Sequence, residues 1–411
     1  MAPVSPVDGR AAMSVSAIHP ETDGADGLYL DYAATAPLHP AAARAVHAGQ
    51  QLVGNPSSGH AAGRAAADAL CTARRTIARL LAVSPGEVVL TSGGSEANTL
   101  ALLGTFAAHG FTGHLVTTSI EHSSVLENAR VLDELGVAVT KVDPGPGGHV
   151  EAAAVAAAMR ADTVLVSVMH ANNETGAIQP VCEIAALAAQ AGAAFHTDAV
   201  HTAGKLSLAT VAASLISVSA HKFGGPRGVG ALAVRDGHRL VPVVRGGPQE
   251  NRLRAGTENV AGAMGMAAAV DVCLRRMSIG YRLGMRERRE QLILGLAGAG
   301  GVHLNSTEPV LAGTVSVRFD GVRADALADA LDMQGIYVST GSACHTGQDA
   351  VSHVLTAMGL THWAARSTVR FSLGPDVSPA DIDRVVAVTT EAVRRLRSIS
   401  GTTVDPTGAG Q

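Results

Sequence analysis

Between residues 87 and 222, short runs of β-branched residues alternate with alanine-rich stretches, and each run ends close to a residue able to do chemistry. Glu87-Val-Val-Leu90 leads into a Gly/Ser turn, and His114-Leu-Val-Thr-Thr118 precedes His122. Thr163-Val-Leu-Val-Ser-Val168 precedes Asn172-Asn173-Glu174, Ala193-Ala-Phe-His-Thr197 precedes Asp198, and Leu215-Ile-Ser-Val218 precedes His221-Lys222. Strands separated by helices predict an α/β architecture with a largely parallel sheet covered on both faces. Ligands of such sheets bind beyond the carboxyl ends of the strands. Five polar candidates in register at those ends predict a single site.

Past Val260 the pattern becomes a long Ala/Met/Leu helix and then a charged one over residues 282–290, predicted to bridge to a second α/β unit. That unit reads as a strand over 313–319, a helix over 324–333, a glycine-bearing loop over 339–347, a strand over 367–372 and a final helix over 379–397. The expected organisation is a disordered extension over 1–27, a large domain over 28–275, a small C-terminal domain over 276–400 and a disordered tail over 401–411. The first few residues of the large domain are expected to pack on the small one.

With 411 residues, 47% of them hydrophobic and 16% charged, the chain can bury a sizeable core. Its net charge of −4 supplies no basic field for a phosphate backbone, so nucleic acid is not an expected partner. No uninterrupted apolar run approaches the roughly 18 residues of a membrane span. Residues 1–27 lack the apolar centre of a signal peptide, so a cytoplasmic location is expected. Four cysteines do not make a disulfide framework. Cys71, Cys182 and Cys273 lie in helical stretches and are expected to be small buried hydrophobes. Cys344 differs, since its loop offers little apolar material to bury it.

Thr91-Ser-Gly-Gly-Ser-Glu-Ala-Asn98 joins a strand to a helix. Glycines let backbone approach an anion, and the helix start supplies N–H groups and a positive dipole end. Gly94 and Ser95 can thus cup a phosphate, although a Ser-capped Gly-rich turn reads the same way. Asp198 can pair with a protonated pyridine nitrogen, or simply cap the following segment. Lys222, in Ser219-Ala-His-Lys-Phe-Gly-Gly225, stands at the end of an apolar strand. A desolvated amine there becomes nucleophilic and forms a Schiff base, with Ser219 and His221 beside it to bind phosphate. The alternative is a surface lysine. His122 can stack on a ring and move protons near neutral pH, or be one of 17 histidines without a chemical role. Asn173 can hydrogen-bond cofactor or substrate, or form a turn. Arg370 can clamp a carboxylate with two parallel hydrogen bonds, or make a structural ion pair.

Together these residues resemble the cysteine desulfurases of the NifS/IscS type, within the class V aminotransferase-like, fold-type I enzymes that use pyridoxal 5′-phosphate. The resemblance runs from Tyr29-Leu-Asp-Tyr-Ala-Ala-Thr35 and Gly54-Asn-Pro-Ser57 to Arg370-Phe-Ser-Leu-Gly374. It implies that Lys222 carries the Schiff base, Asp198 partners the pyridine nitrogen and His122 stacks on the ring. It makes Gly94, Ser95, Ser219 and His221 phosphate ligands, Asn173 a cofactor and substrate contact, and Arg370 the residue that binds the carboxylate of L-cysteine. Thr257, in Arg254-Ala-Gly-Thr-Glu-Asn259, matches a threonine that reaches the neighbouring subunit's phosphate, which implies a homodimer. Cys344 matches the residue that takes the sulfur as a persulfide and passes it to an acceptor protein or small molecule, in a loop of the long-loop subgroup's length. No metal is expected. Selenocysteine lyase, C–S lyase and other class V reactions share Lys222 and Asp198. The chain departs from the pattern at His201, where the family usually has a glutamine touching the cofactor, at Pro248-Gln-Glu-Asn251, and at His345-Thr-Gly347 after the cysteine.

Overall fold

The computed structural model describes residues 27–277, 279–340 and 351–401. The expected extension before residue 27, the tail beyond 401, and Cys344 with His345 lie outside the described residues. The chain enters on β1 (Leu28–Tyr29) and then builds its larger sheet. This sheet comprises β2 (Val88–Thr91), β3 (His114–Thr118), β4 (Ala138–Val142), β5 (Thr163–Ser167), β6 (Ala194–Asp198), β7 (Leu215–Ser219) and β8 (Gly230–Val234), in the order β2-β8-β7-β6-β5-β3-β4. Only β8 runs against its neighbours, so the sheet is mainly parallel, as the alternating pattern predicts.

Successive residues of its central strands serve opposite cores, the consequence of a side-chain period of two. Leu115, Leu165 and Leu215 join one apolar cluster with Leu100, Phe106 and Leu132 of the helices Gly94–Ala108 and Ser123–Glu134. Val116, Val166 and Ile216 join the other, with Ile77, Ile184 and Val270 of the helices Ala61–Leu81, Val181–Gln190 and Val260–Arg276. Strands buried on both faces need apolar side chains on both; β2 and β5 supply unbroken runs (Val88-Val-Leu90 and Val164-Leu-Val166), whereas β3, β6 and β7 intersperse buried Thr, Ser and His.

The smaller sheet follows the consecutive helices Val260–Arg276 and Ile279–Ala297. Its strands are β9 (Val302–Leu304), β10 (Thr314–Phe319), β12 (Ser339–Thr340) and β13 (Thr368–Ser372), and β11 (Ile336–Tyr337) lies outside it in a two-stranded sheet. The order β12-β13-β10-β9 is antiparallel throughout, while β11 pairs in parallel with β1. A separate core of Leu30, Leu296, Val317, Phe319, Phe371 and Val385 lies beneath it. The last helix, Pro379–Ser400, starts with a capping box in which Ser378 and Asp381 satisfy one another's backbone N–H groups.

The pattern missed β4 and β8. Gly230-Ala-Leu-Ala-Val234 has the alanine content of a helix, and only its place between β2 and β7 makes it a strand. Two cysteines also differ from expectation. Cys71 and Cys182 are exposed on the outward faces of their helices, and Cys273 alone of the three is buried. Among the described residues, no helix is long and apolar enough to cross a membrane.

Candidate active site

The helix Gly94–Ala108 begins directly after β2, and its leading N–H groups have no acceptor within the helix. A side chain at Gly94 would place its Cβ 2.7 Å from Val200 Cγ2 and 3.5 Å from Ser219 Cβ. Glycine is therefore what lets the positive end of this helix approach the carboxyl end of β7, where Ser219 is buried. Ser95 follows in the first turn. His221 lies two residues past Ser219, its Nδ1 3.1 Å from Thr35 Oγ1. Burial, and then the Lys222 charge, pull its pKa down to about 4.

Asp198 ends β6 and is buried. Its Oδ1 accepts from the Val200 amide at 2.9 Å and its Oδ2 from Asn98 Nδ2 at 2.7 Å. Asn98 also donates to Ser124 Oγ (2.9 Å), which lies 2.8 Å from His122 Nδ1. His122 caps the helix Ser123–Glu134 by accepting from the Ser124 amide. One asparagine thus links the carboxylate at the end of β6 to the imidazole after β3. Burial lowers the His122 pKa; Asp198 opposes that shift and Lys222 reinforces it.

Lys222 lies in the short turn Ala220–Lys222 at the end of β7. Its ammonium donates to the carbonyls of Ala33 (2.7 Å) and Ala34 (2.9 Å), so the Tyr29–Thr35 segment is the surface against which the amine rests. His201, buried, is held well below the usual imidazole range by desolvation and by the charges of Lys222, Lys205 and Arg370. A neutral imidazole keeps one ring N–H, so the charge that a histidine would bring in place of glutamine is suppressed.

Arg370, on β13, donates to Asp31 Oδ1 (2.6 Å) and to the Asn173 carbonyl (2.8 Å), and its buried Nε has no partner among the described residues. The structural ion pair weighed from sequence is present, and the guanidinium retains donors for a second carboxylate. Asn173 reaches this arrangement through its carbonyl. Thr257 is exposed in the loop before the helix Val260–Arg276. Asn98, Asp31 and Glu174 stand within the motifs quoted above, which give none of them an individual role. For Asn98 a signal existed, since it lies one helical turn after Gly94 and so shares its face.

The flanks of the segment bearing Cys344 are both tied here. In β12, Ser339 lies opposite Arg370. On the far side, Ser352 donates from Oγ to Glu174 Oε2, and His353 Nε2 lies 2.9 Å from the Glu121 carbonyl.

This donor set fits pyridoxal phosphate. It offers a glycine-lined helix start with a hydroxyl and an imidazole for a phosphate, a fixed buried carboxylate for a ring nitrogen, an amine at a strand end, and an unsatisfied guanidinium N–H for a carboxylate. The family model "Aminotransferase class-V" matches residues 28–385. The chain belongs to that family. Within this family it groups with the cysteine desulfurases of the IscS/NifS type. It is 41% identical over 381 residues to the "IscS-like cysteine desulfurase" of Mycobacterium tuberculosis, covering 90% of this chain and 97% of the relative. Among solved structures, a "NifS-like protein" superposes with a TM-score of 0.84 at 33% identity, covering 90% of this chain and all of the other. "SspA in complex with cysteine" superposes with a TM-score of 0.76 at 34% identity, covering 85% and 99%. The class-V fold is the α/β architecture described above, with Lys222, Asp198 and His122 at the strand ends of its larger sheet.

Proposed function

We propose that this protein is a cysteine desulfurase that converts L-cysteine to L-alanine and holds the released sulfur as a persulfide on Cys344. The observation that carries the reading is the Asn98-centred network, which fixes Asp198 and His122 beside the strand that delivers Lys222. Pyridoxal phosphate, bound covalently through Lys222, supplies the electron sink that makes the α-proton of a bound amino acid acidic. Asp198 would pair with the ring nitrogen, and the Val200 amide and Asn98 Nδ2, which donate to it, hold it in place for that role. Gly94, Ser95, Ser219 and His221 receive the phosphate, with Thr257 of a second copy completing the cup in a homodimer. His201 and Asn173 contact the ring substituents.

Arg370 binds the substrate carboxylate with the donors that Asp31 and Asn173 leave available. With the cofactor bound, Lys222 would take the α-proton, and His122, as a neutral imidazole, would accept or return one. The Cys344 thiolate then takes the sulfur; one S–S bond forms as the substrate C–S bond breaks, the C–S electron pair stays with the β-carbon, and protonation there gives alanine. Reach supports this role. At about 3.3–3.6 Å per residue, the four steps from Thr340 to Cys344 span at most about 14 Å, and Thr340 is adjacent to the residue paired with Arg370. The persulfide then serves an acceptor protein or small molecule, and a cytoplasmic location belongs to the same reading.

Mass spectrometry after L-cysteine treatment tests the proposal. A 32-Da addition on the Cys344 peptide, lost in Cys344→Ser, is expected together with alanine release. Alanine formed with Cys344 unmodified would overturn the acceptor role and favour a selenocysteine lyase, and pyruvate in place of alanine would favour a C–S lyase. Lys222→Ala should abolish the visible absorbance of the bound cofactor, whereas Cys344→Ser should keep it.

A further inference from the structure

Behind Lys222 lies a cavity of about 470 Å³ between the two sheets. It shares Lys222 and Ala33 with the site just described, but His122, Asn173, Asp198, His201 and Arg370 are not among its lining residues. Its volume is that of a small-molecule pocket and far exceeds an inorganic ion. Most of the wall is apolar, with Phe223, Met285 and Leu373 among its members. The charges are one-sided: Lys205, Lys222, Arg276 and Arg282 line it, against a single carboxylate, Asp376. Asp376 is 82% exposed in its side chain and only 3.9 Å from Arg276.

Lys205 is the decisive residue. Among the described residues none accepts a hydrogen bond from its ammonium, whereas Lys222 has the carbonyls of Ala33 and Ala34. An amine without a partner in an apolar wall is costly when charged, and the cost is relieved by an anion. Desolvation and the Lys222 charge bring its pKa down to about 8, which leaves it largely cationic at neutral pH. Cys273 lines the same wall, with Sγ 3.5 Å from the Phe223 carbonyl. Its pKa is pushed up to about 11 by burial, so the thiol stays neutral and does not compete for the amine as an anion.

We propose that this cavity is a second ligand site, which takes a small amphipathic organic anion with its charged group on Lys205 and its apolar body against Phe223, Met285 and Leu373.

The test uses the cofactor-loaded full-length protein and the fluorescent probe 1-anilinonaphthalene-8-sulfonate, with decanoate as competitor. Saturable binding of one probe per chain is expected, displaced by decanoate and insensitive to saturating L-cysteine. Lys205→Met should weaken the probe at least tenfold and Lys205→Arg should retain it. Ala312→Trp, which fills the cavity from its wall, should abolish binding while the chain keeps its cofactor absorbance. Absence of saturable binding, equal binding by the Lys205→Met protein, or displacement by L-cysteine would each overturn the proposal. Persulfide formation is read separately, so failure here leaves the desulfurase assignment untouched.

Discussion

Asp198 is held by two donors, and the stronger handle is an asparagine 100 positions earlier in the chain. A hydrogen bond to a charged group contributes about 1.5–3 kcal/mol, so Asn98→Ala should weaken cofactor binding by roughly ten- to a hundredfold. Spectrophotometric titration of the cofactor-free protein checks this, with Ser124→Ala giving a smaller loss because it leaves Asp198 in place. His122 carries a pH prediction. Its pKa lies below the ordinary histidine value, so the neutral form dominates at pH 7 and is lost only on acidification. The kcat profile should therefore fall on acidification with a midpoint below 6.5; a fall centred at or above 6.5 would count against a neutral imidazole. Lys222, Asp198 and His122 were legible in the sequence because each is a polar residue just past an apolar run. Asn98 and Asp31 were not picked out, because their roles are defined by contacts across the fold with Asp198 and Arg370.

At the scale of elements, strands with continuous Val, Ile and Leu were readable and β8 was not. Its alanines and glycine take their meaning from what they pack against. A Cβ on Gly230 would meet the Gly93 carbonyl carbon at 2.6 Å and Gly93 Cα at 2.7 Å, both rigid backbone. β8 thus approaches the Gly93–Gly94 turn as closely as backbone permits. Gly230→Ala should destabilise the protein by about 1–3 kcal/mol and displace the Gly93–Gly94 turn, so both melting temperature and cofactor affinity fall. A variant with unchanged affinity would show that the turn is independent of β8. The small strands β9, β11 and β12 were equally invisible in advance, since two or three residues set no periodicity.

Across the whole molecule, two buried carboxyls shape stability. Burial raises Glu121 to about 8 and Glu174 to about 7, from ordinary values near 4.5. The folded state then binds more protons than the unfolded chain between pH 4.5 and those values, so these groups cost stability as pH rises through that window. The depressed histidines His170 and His196, at about 4 and 3, act with the opposite sign and cost stability only as pH falls below 6.5. Glu174→Gln should therefore gain melting temperature relative to the parent between pH 5 and pH 8, measured by calorimetry. A constant difference across that range would place the proton elsewhere.

The pairing of β1 with β11 joins residues about 300 positions apart, with Leu30 sealed in the core of the smaller sheet. During synthesis at roughly 5–20 residues per second, the leading strand leaves the ribosome about 15–60 s before its partner exists. The larger sheet can close in that interval, whereas the smaller core stays open at its start until the last quarter of the chain arrives. An exposed Leu28–Leu30 edge is thus a feature of every nascent copy, and the place where a holdase or a premature contact between chains would first take hold.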